Sequence, residues 1–424
     1  MEYTYRERVA DKILARKLEG KGAVVIEGPK WCGKTTTAEQ HAKSVVYIDT
    51  PEDIDYYRSL VQINPKEILK GDTPRLIDEW QNIPQIWDTI RFEVDHTHQL
   101  GQYILTGSSV PADMSKVMHS GTGRFGWVRM RTMSLWESGD SNGEISLRKL
   151  FEQVNQTATS GSDLERIAFL TCRGGWPLSL QMRDEIALDQ AFDYVDAIVK
   201  RDISASDGVS RDSARVRRLM RSLARNQGQS VSYAKIYRDL EENEGGGLNE
   251  DTVATYIKAL NKIFVTDDVE AWNPNLQSAT AIRTADTRYF TDPSIATAAL
   301  GLGPKDLIKN LTTFGFMFET LCIRDLKVYA ESLNGKVYHY RDKNGLECDA
   351  VIHLRDGRYG LVEIKLGGER LIEEGVQTLT KLSRLINTAK MNAPAFKMIL
   401  VGVGKYAYRR EDGIYVVPID CLKD

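Results

Sequence analysis

No uninterrupted apolar run in this chain approaches the roughly 18 residues that a membrane-crossing helix needs. The N-terminus, with Glu2, Arg6, Glu7, Arg8, Asp11 and Lys12, is too charged for a secretory leader. These two absences predict a cytoplasmic protein without a membrane partner. Cysteine is sparse: Cys32, Cys172, Cys322, Cys348 and Cys421 are odd in number, scattered and never in a C-x-x-C spacing. A disulfide framework and a zinc site are both excluded on that pattern, and the thiols are expected to be reduced. The six histidines give one close pair, His96 and His98, in a polar helix end, where solvated side chains are expected rather than metal ligands. A surplus of one charge is also missing, since 56 Lys and Arg face 59 Asp and Glu for a net charge of -3. No global field therefore draws the chain onto nucleic acid or anionic lipid, and any such contact must use a local patch.

What remains is an ordinary globular composition, 42% hydrophobic and 27% charged over 424 residues, long enough for several domains. Residues 23–109 alternate short apolar runs with amphipathic stretches, the pattern of a mostly parallel sheet covered by helices. Strands are predicted at 23–27, 45–49, 75–79 and 102–106, and helices at 35–43, 51–61 and 86–96. From residue 144 to about 207 the pattern turns helical, broken at Arg173-Gly174-Gly175-Trp176-Pro177. Three helical stretches (212–226, 233–240, 249–262) and two strand-like ones (264–271, 287–290) then predict a winged helix. The triple glycine at 245–247 fits the loop between its second and third helices. After residue 303 a long amphipathic helix at 311–330 precedes strands at 336–341, 348–354, 360–365 and 397–403.

Gly28-Pro29-Lys30-Trp31-Cys32-Gly33-Lys34-Thr35 fits G-x-x-x-x-G-K-[ST] between a predicted strand and a predicted helix. In such a P-loop the backbone N–H groups curl around phosphates at a helix N-terminus. Lys34 is then expected at the β and γ phosphates of ATP, and the Thr35 hydroxyl on Mg2+, with Thr36 completing the loop. Leu76-Ile77-Asp78-Glu79 supplies an acidic strand end, Asp78 for the magnesium shell and Glu79 to polarise the attacking water. The next strand ends in Thr106-Gly107-Ser108, where a hydroxyl senses the γ-phosphate or positions water; the alternative is a plain turn. Arg124, placed on a glycine-rich loop past the sheet, is either an arginine finger for a neighbouring subunit, which requires a homo-oligomer, or a surface arginine.

Several runs together resemble the AAA-type ATPases of prokaryotes that carry a C-terminal domain of unknown function related to restriction endonucleases. They are 28–37, 76–81 with Pro84, 104–109, Gly123-Arg124, Leu135-Trp136-Glu137, Gly174-Gly175-Trp176-Pro177, Arg201-Asp202 and Phe290-Thr291-Asp292. The chain departs from that family's usual loop with Lys30 and Trp31-Cys32, where an Arg and smaller residues are common. The C-terminal stretch has its own constellation: Glu319 on a helix, Asp349 opening one strand, and Glu363-Ile364-Lys365 on the next. Residues two apart on a strand share a face, so Glu363 and Lys365 point together. Asp349 and Glu363 are candidate magnesium ligands and Lys365 a candidate activator of water at a phosphodiester. The set resembles the PD-(D/E)xK nuclease core, with Glu319 matching its helical acid and Cys348 replacing its proline. The alternative is an ion pair on an inactive, docking platform.

Arg211, Arg215, Arg217, Arg218, Arg221 and Arg225, with Lys258 and Lys262, offer DNA a surface within 211–262, unless acids such as Glu241, Glu242 and Glu244 neutralise them. The expectation is thus an α/β chain: a P-loop doubly wound parallel sheet (1–143), a helical connector (144–207), a winged helix (208–303) and an α/β restriction-endonuclease-like domain (304–424). It would bind and hydrolyse ATP with Mg2+ and couple nucleotide state to DNA through 211–262 and the C-terminal domain. The alternative is a nucleotide-dependent switch that engages a protein partner.

Overall fold

Five short apolar runs near the N-terminus pair into one sheet in a computed structural model, which describes residues 4–109, 121–205, 208–245, 249–274 and 282–424. The strands are β1 (Ala23–Glu27), β2 (Ser44–Tyr47), β3 (Arg75–Asp78), β4 (Tyr103–Gly107) and β5 (Phe125–Arg129), in the order β2-β3-β4-β1-β5. Every neighbouring pair is parallel, with Ala23 opposite both Tyr103 and Phe125, and Arg75 opposite both Ser44 and Tyr103. All five strands therefore end on one edge, and the order reverses beside β1, which is where open α/β sheets place their ligands. The crossovers are α2 (Lys34–Glu39), α3 (Pro51–Ile63) and α4 (Ile86–Thr97); α1 (Val9–Leu18) precedes the sheet. Pro51 at the first turn and Thr50, whose side chain accepts from the Asp53 N–H, start α3. One core joins Val25, Ile77 and Leu105 of the sheet to Ile86, Trp87 and Ile90 of α4, with Trp87 stacked on Phe125 at 3.9 Å.

The strand β5 was not expected. Its five residues, Phe-Gly-Trp-Val-Arg, follow a glycine-rich stretch and read as loop, yet parallel pairing to β1 makes them an edge strand. The stretch from residue 144, read as helical, also contains two short strands, Ile145–Ser146 and Ala158–Thr159, on either side of the helix Leu147–Phe151, because their hydrogen-bonding partners lie far away in sequence.

The chain divides into two units. The first holds Met1–Thr132, Lys200–Arg211 and Tyr256–Val265; the second holds Met133–Val199, Asp212–Thr255 and Thr266–Asp424. The second unit is built on a seven-stranded sheet in the order Ala158–Thr159, Tyr406–Arg409, Tyr415–Pro418, Phe396–Val401, Tyr359–Lys365, Glu347–Leu354, Gly335–Arg341. Its central neighbours, Tyr359–Lys365 with Phe396–Val401 and the latter with Tyr415–Pro418, are parallel, and the remaining pairs are antiparallel. The helices Leu311–Ser332 and Glu369–Leu385 pack on this sheet. The helices Ser213–Arg225 and Tyr233–Asn243 form as predicted, capped by Asp212 and Ser232. The expected pair of wing strands is reduced to isolated antiparallel bridges, Thr266 with Phe290 and Val269 with Thr287, while Gln229 bridges Arg288.

A buried ionic knot explains why three distant motifs of the sequence matter together in this unit. Arg324 pairs with Asp292 at 3.0 Å and Asp325 at 2.7 Å. Asp292 also accepts from the Gly175 N–H, Asp325 from the Leu135 N–H, and Ser294 from the Trp176 indole N–H. Backbone amides and a guanidinium thus share two carboxylates away from water, an arrangement that costs little only when every member is present.

Candidate functional site

The loop between β1 and α2 is shaped by backbone conformation. Gly33 sits at φ 97° and Trp31 at φ 64°, so the backbone turns through the left-handed region on either side of Cys32. A side chain at Gly28 would strike the Met130 carbonyl oxygen, 2.1 Å from its Cβ. Lys34 is buried and donates to the Pro29 carbonyl at 2.8 Å. Cys32 and Thr37 are buried beneath the loop, whereas Trp31 is exposed and Lys30 pairs with Asp202 at 2.8 Å.

Three hydroxyls and two carboxylates meet behind this loop. Thr35 donates to Asp78 Oδ1 at 2.8 Å, and Thr106 donates to the same oxygen. Burial pushes the Asp78 carboxyl above its ordinary value and the charge of Glu79 adds to that, while the bonds from Thr106 and Thr35 pull the other way. Glu79 lies at φ 53°, a conformation that costs a non-glycine residue about 1–3 kcal/mol and persists only where the surroundings impose it. There Glu79 Oε2 accepts from Ser108 at 2.8 Å and from the Gln81 amide, whose own Oε1 is buried without a partner. The expected residues Lys34, Thr35, Asp78, Glu79 and Thr106 are thus brought together.

The sequence reading passed over a set of residues that brace the loop from α1 and the segment before it. Arg8, buried, donates to the carbonyls of Cys32 at 2.8 Å and Arg131 at 2.9 Å. Tyr5 donates to Asp11 at 2.6 Å and to Thr37 of α2 at 3.1 Å, and His41 meets Asp11 at 2.8 Å. Burial raises the Asp11 carboxyl, but His41, Tyr5 and the Arg8 N–H outweigh it and hold the group below the ordinary range. No local pattern marks the bracing contacts, because Cys32 and Arg131 for Arg8, Thr37 for Tyr5 and His41 for Asp11 all lie tens of residues or more away in sequence. Arg124 is not with them: it stands at the start of β5, on the sheet edge opposite the loop, and pairs with Asp95 at 2.5 Å.

The second unit gathers the other predicted set. A register shift where Tyr338 faces Val351 and Tyr340 faces Cys348 inserts one extra residue in the Asp349 strand, and such a bulge re-aims side chains. Asp349 Oδ2 accepts from the Ile364 N–H at 2.7 Å and lies 3.3 Å from the Lys365 ammonium, which donates to Glu363 Oε2 at 2.6 Å. Glu363 Oε1 is buried without a partner. Glu319 accepts from the Tyr289 hydroxyl and, with Asp349, lines a cavity of about 20 Å³, room for little more than water. Burial and the nearby Asp349 charge push both Glu319 and Glu363 up to about 8, against the pull of Lys365. Among the described residues no group of three or more His, Cys, Asp or Glu side chains is set to hold a metal ion.

At least four of the arginines considered for DNA are engaged within the protein. Arg221 pairs with Glu244, Arg225 with Asp239 at 2.7 Å and Glu244 at 2.8 Å, and Arg217 with Asp196 at 2.6 Å. Arg211 is buried and donates to the Ile203 carbonyl at 2.9 Å.

The parallel sheet and the glycine-bearing loop after its first strand form an α/β unit of P-loop kind, and residues 20–138 match the AAA domain family. Residues 164–306 and 314–422 match two families described as domains of unknown function, DUF8612 and DUF4143. Over 412 residues the chain is 24% identical to the uncharacterized proteins Rv2008c of Mycobacterium tuberculosis and Mb2031c of Mycobacterium bovis, covering 96% of this chain and 82% of theirs. Among solved structures it is similar to the Walker-type ATPase PABY2304 of Pyrococcus abyssi, with TM-score 0.43 and 14% identity over 71% of this chain and 100% of that one. The Aeropyrum pernix ORC1 protein in complex with DNA gives a TM-score of 0.27 and 13% identity, over 71% of this chain and 94% of that one.

Proposed function

We propose that the first unit binds ATP with Mg2+ and hydrolyses it to ADP and phosphate. The carrying observation is the convergence of Thr35, Asp78 and Thr106 behind a loop whose glycines bare its backbone, with Glu79 fixed alongside by Ser108 and Gln81. The donor set fits the group: hydroxyl and carboxylate oxygens suit magnesium, and N–H groups with Lys34 suit phosphates. Thr35 and Asp78 would hold the ion, which supplies charge neutralisation at the phosphates when bound. Glu79, aimed by two donors, orients the water and receives its proton. Arg124, on the opposite edge of its own sheet, can serve only the site of a second copy. Phosphate release by wild type and Glu79→Gln tests the reading: the variant should keep ATP affinity and lose hydrolysis about 100-fold or more. Equal turnover in the two proteins would overturn it.

A second reading, a slow nucleotide switch whose rear unit engages a protein rather than DNA, is favoured by the pairing of Arg217, Arg221 and Arg225 with Asp196, Asp239 and Glu244. DNA stimulation of phosphate release separates the two partners. For the acidic cluster we infer a charge-compensated platform, because Lys365 bridges Asp349 and Glu363. The unpartnered Glu363 Oε1 is what favours a metal-dependent phosphodiesterase instead. DNA cleavage with magnesium or manganese that disappears in Asp349→Ala would establish the phosphodiesterase.

A further inference from the structure

The loop carries two lysines, and they are partnered differently. Lys34 is buried and donates to a neutral carbonyl, that of Pro29. Lys30, four residues earlier and 51% exposed, is held by a carboxylate, Asp202, at 2.8 Å. Asp202 comes from a separate stretch of the same unit, Lys200–Arg211, where a π-helical turn, Ile198–Asp202, interrupts the helical run. Such turns are rare and recur at functional positions. The stretch is tied down beyond Asp202 by Arg211, which donates to the Ile203 carbonyl at 2.9 Å and whose N–H donates to Ser204 at 3.0 Å. The carboxylate is therefore presented to the loop by an anchored segment rather than by a free tail.

We propose that Lys30 is a second phosphate-binding lysine and that Asp202 is a positioning residue competing for it, so that their ion pair sets the preference for ATP over ADP. This rests on the nucleotide-binding reading of the loop. A half-exposed pair is worth little, about 0–1 kcal/mol, so a polyphosphate carrying several negative charges can displace the carboxylate. ATP, with one more phosphoryl group and more charge than ADP, wins that competition more completely. Asp202 then acts as a threshold that the diphosphate crosses less readily.

The test uses the full chain and calorimetric affinities for ADP and a non-hydrolysable ATP analogue, both with magnesium, in wild type, Asp202→Asn, Lys30→Ala, Lys30→Arg and the double variant Lys30→Ala with Asp202→Asn. Asp202→Asn should tighten the analogue and ADP by unequal factors, each within about tenfold, and narrow the ratio between them. Lys30→Ala should weaken the analogue and make Asp202→Asn silent in the double variant, while Lys30→Arg keeps the wild-type pattern. A merely structural pair would change melting temperature without changing the affinity ratio. Equal effects of Asp202→Asn with and without Lys30, or an unchanged ratio, overturn the proposal. If Lys34→Ala, measured alongside as a control, abolishes binding, the nucleotide reading survives that failure; if wild type binds neither nucleotide, both fall.

Discussion

Asp78 in the first unit and Glu363 in the second are both buried carboxylates on parallel strands, and each belongs to a site that also contains a lysine, Lys34 in the first and Lys365 in the second. Their surroundings differ in kind. Asp78 is bonded by two neutral hydroxyls, Thr35 and Thr106, so its charge is solvated by dipoles but not cancelled. Glu363 is bonded by the Lys365 ammonium, which also reaches Asp349. The first arrangement leaves charge for a cation to complete; the second completes itself. Matching residue types in a motif therefore do not establish matching chemistry, since the nearest partner decides whether a carboxylate is available.

The strongest break of this comparison is to remove each lysine. Lys34→Ala should weaken nucleotide binding about 100-fold or more, as loss of a charge-assisted phosphate contact does, and leave the unfolding of the protein nearly unchanged. Lys365→Ala should do the reverse, because it strands Asp349 and Glu363 beside each other. The cost should be about 2–4 kcal/mol in chemical denaturation, below the full cost for a buried pair because Lys365 keeps some solvent contact. Adding Glu363→Gln should recover part of it. A Lys365→Ala protein of wild-type stability would mean that the cluster is not self-compensated.

A smaller effect sharpens the comparison through pH. Glu319 is pushed up to about 8 by burial first and by Asp349 next, with Tyr289 and Lys365 opposing. A carboxyl whose folded value is raised gives stability that is fully present below its unfolded value, about pH 4.5, and is lost as pH rises through about 8. Buried His339, held below its ordinary value by desolvation, contributes with the opposite sign, so the informative quantity is a difference. The loss of stability between about pH 5 and about pH 8 should be shallower in Glu319→Gln than in wild type. Identical slopes in the two proteins would place the Glu319 proton elsewhere.

The smallest expected change is at Arg124. Its partner Asp95 is also held by Arg91 at 2.8 Å, so Arg124→Ala should leave the melting temperature nearly unchanged. Its effect should appear in hydrolysis, and mixing Arg124→Ala with Lys34→Ala protein should restore activity through composite sites. No recovery, with both variants still self-associating, would make Arg124 a surface residue.

The sequence by itself determined the phosphate loop, the acidic strand end and the helices around them. Each depends on neighbours within a few residues: glycines that permit left-handed turns, apolar runs bounded by polar ones, caps such as Thr50. It also put Glu363 and Lys365 on one face, since strand alternation is local. Tertiary structure alone decided that 125–129 is a strand, that Asp349 is re-aimed by a bulge, and that Arg8, Tyr5 and His41 brace the loop. It alone selected Glu244 and Asp239 among the acids that could neutralise Arg221 and Arg225, and set Asp202 against Lys30. Those outcomes depend on partners separated by tens to hundreds of residues, and a charge or a β-forming segment carries no local mark of the group that will satisfy it once water is excluded.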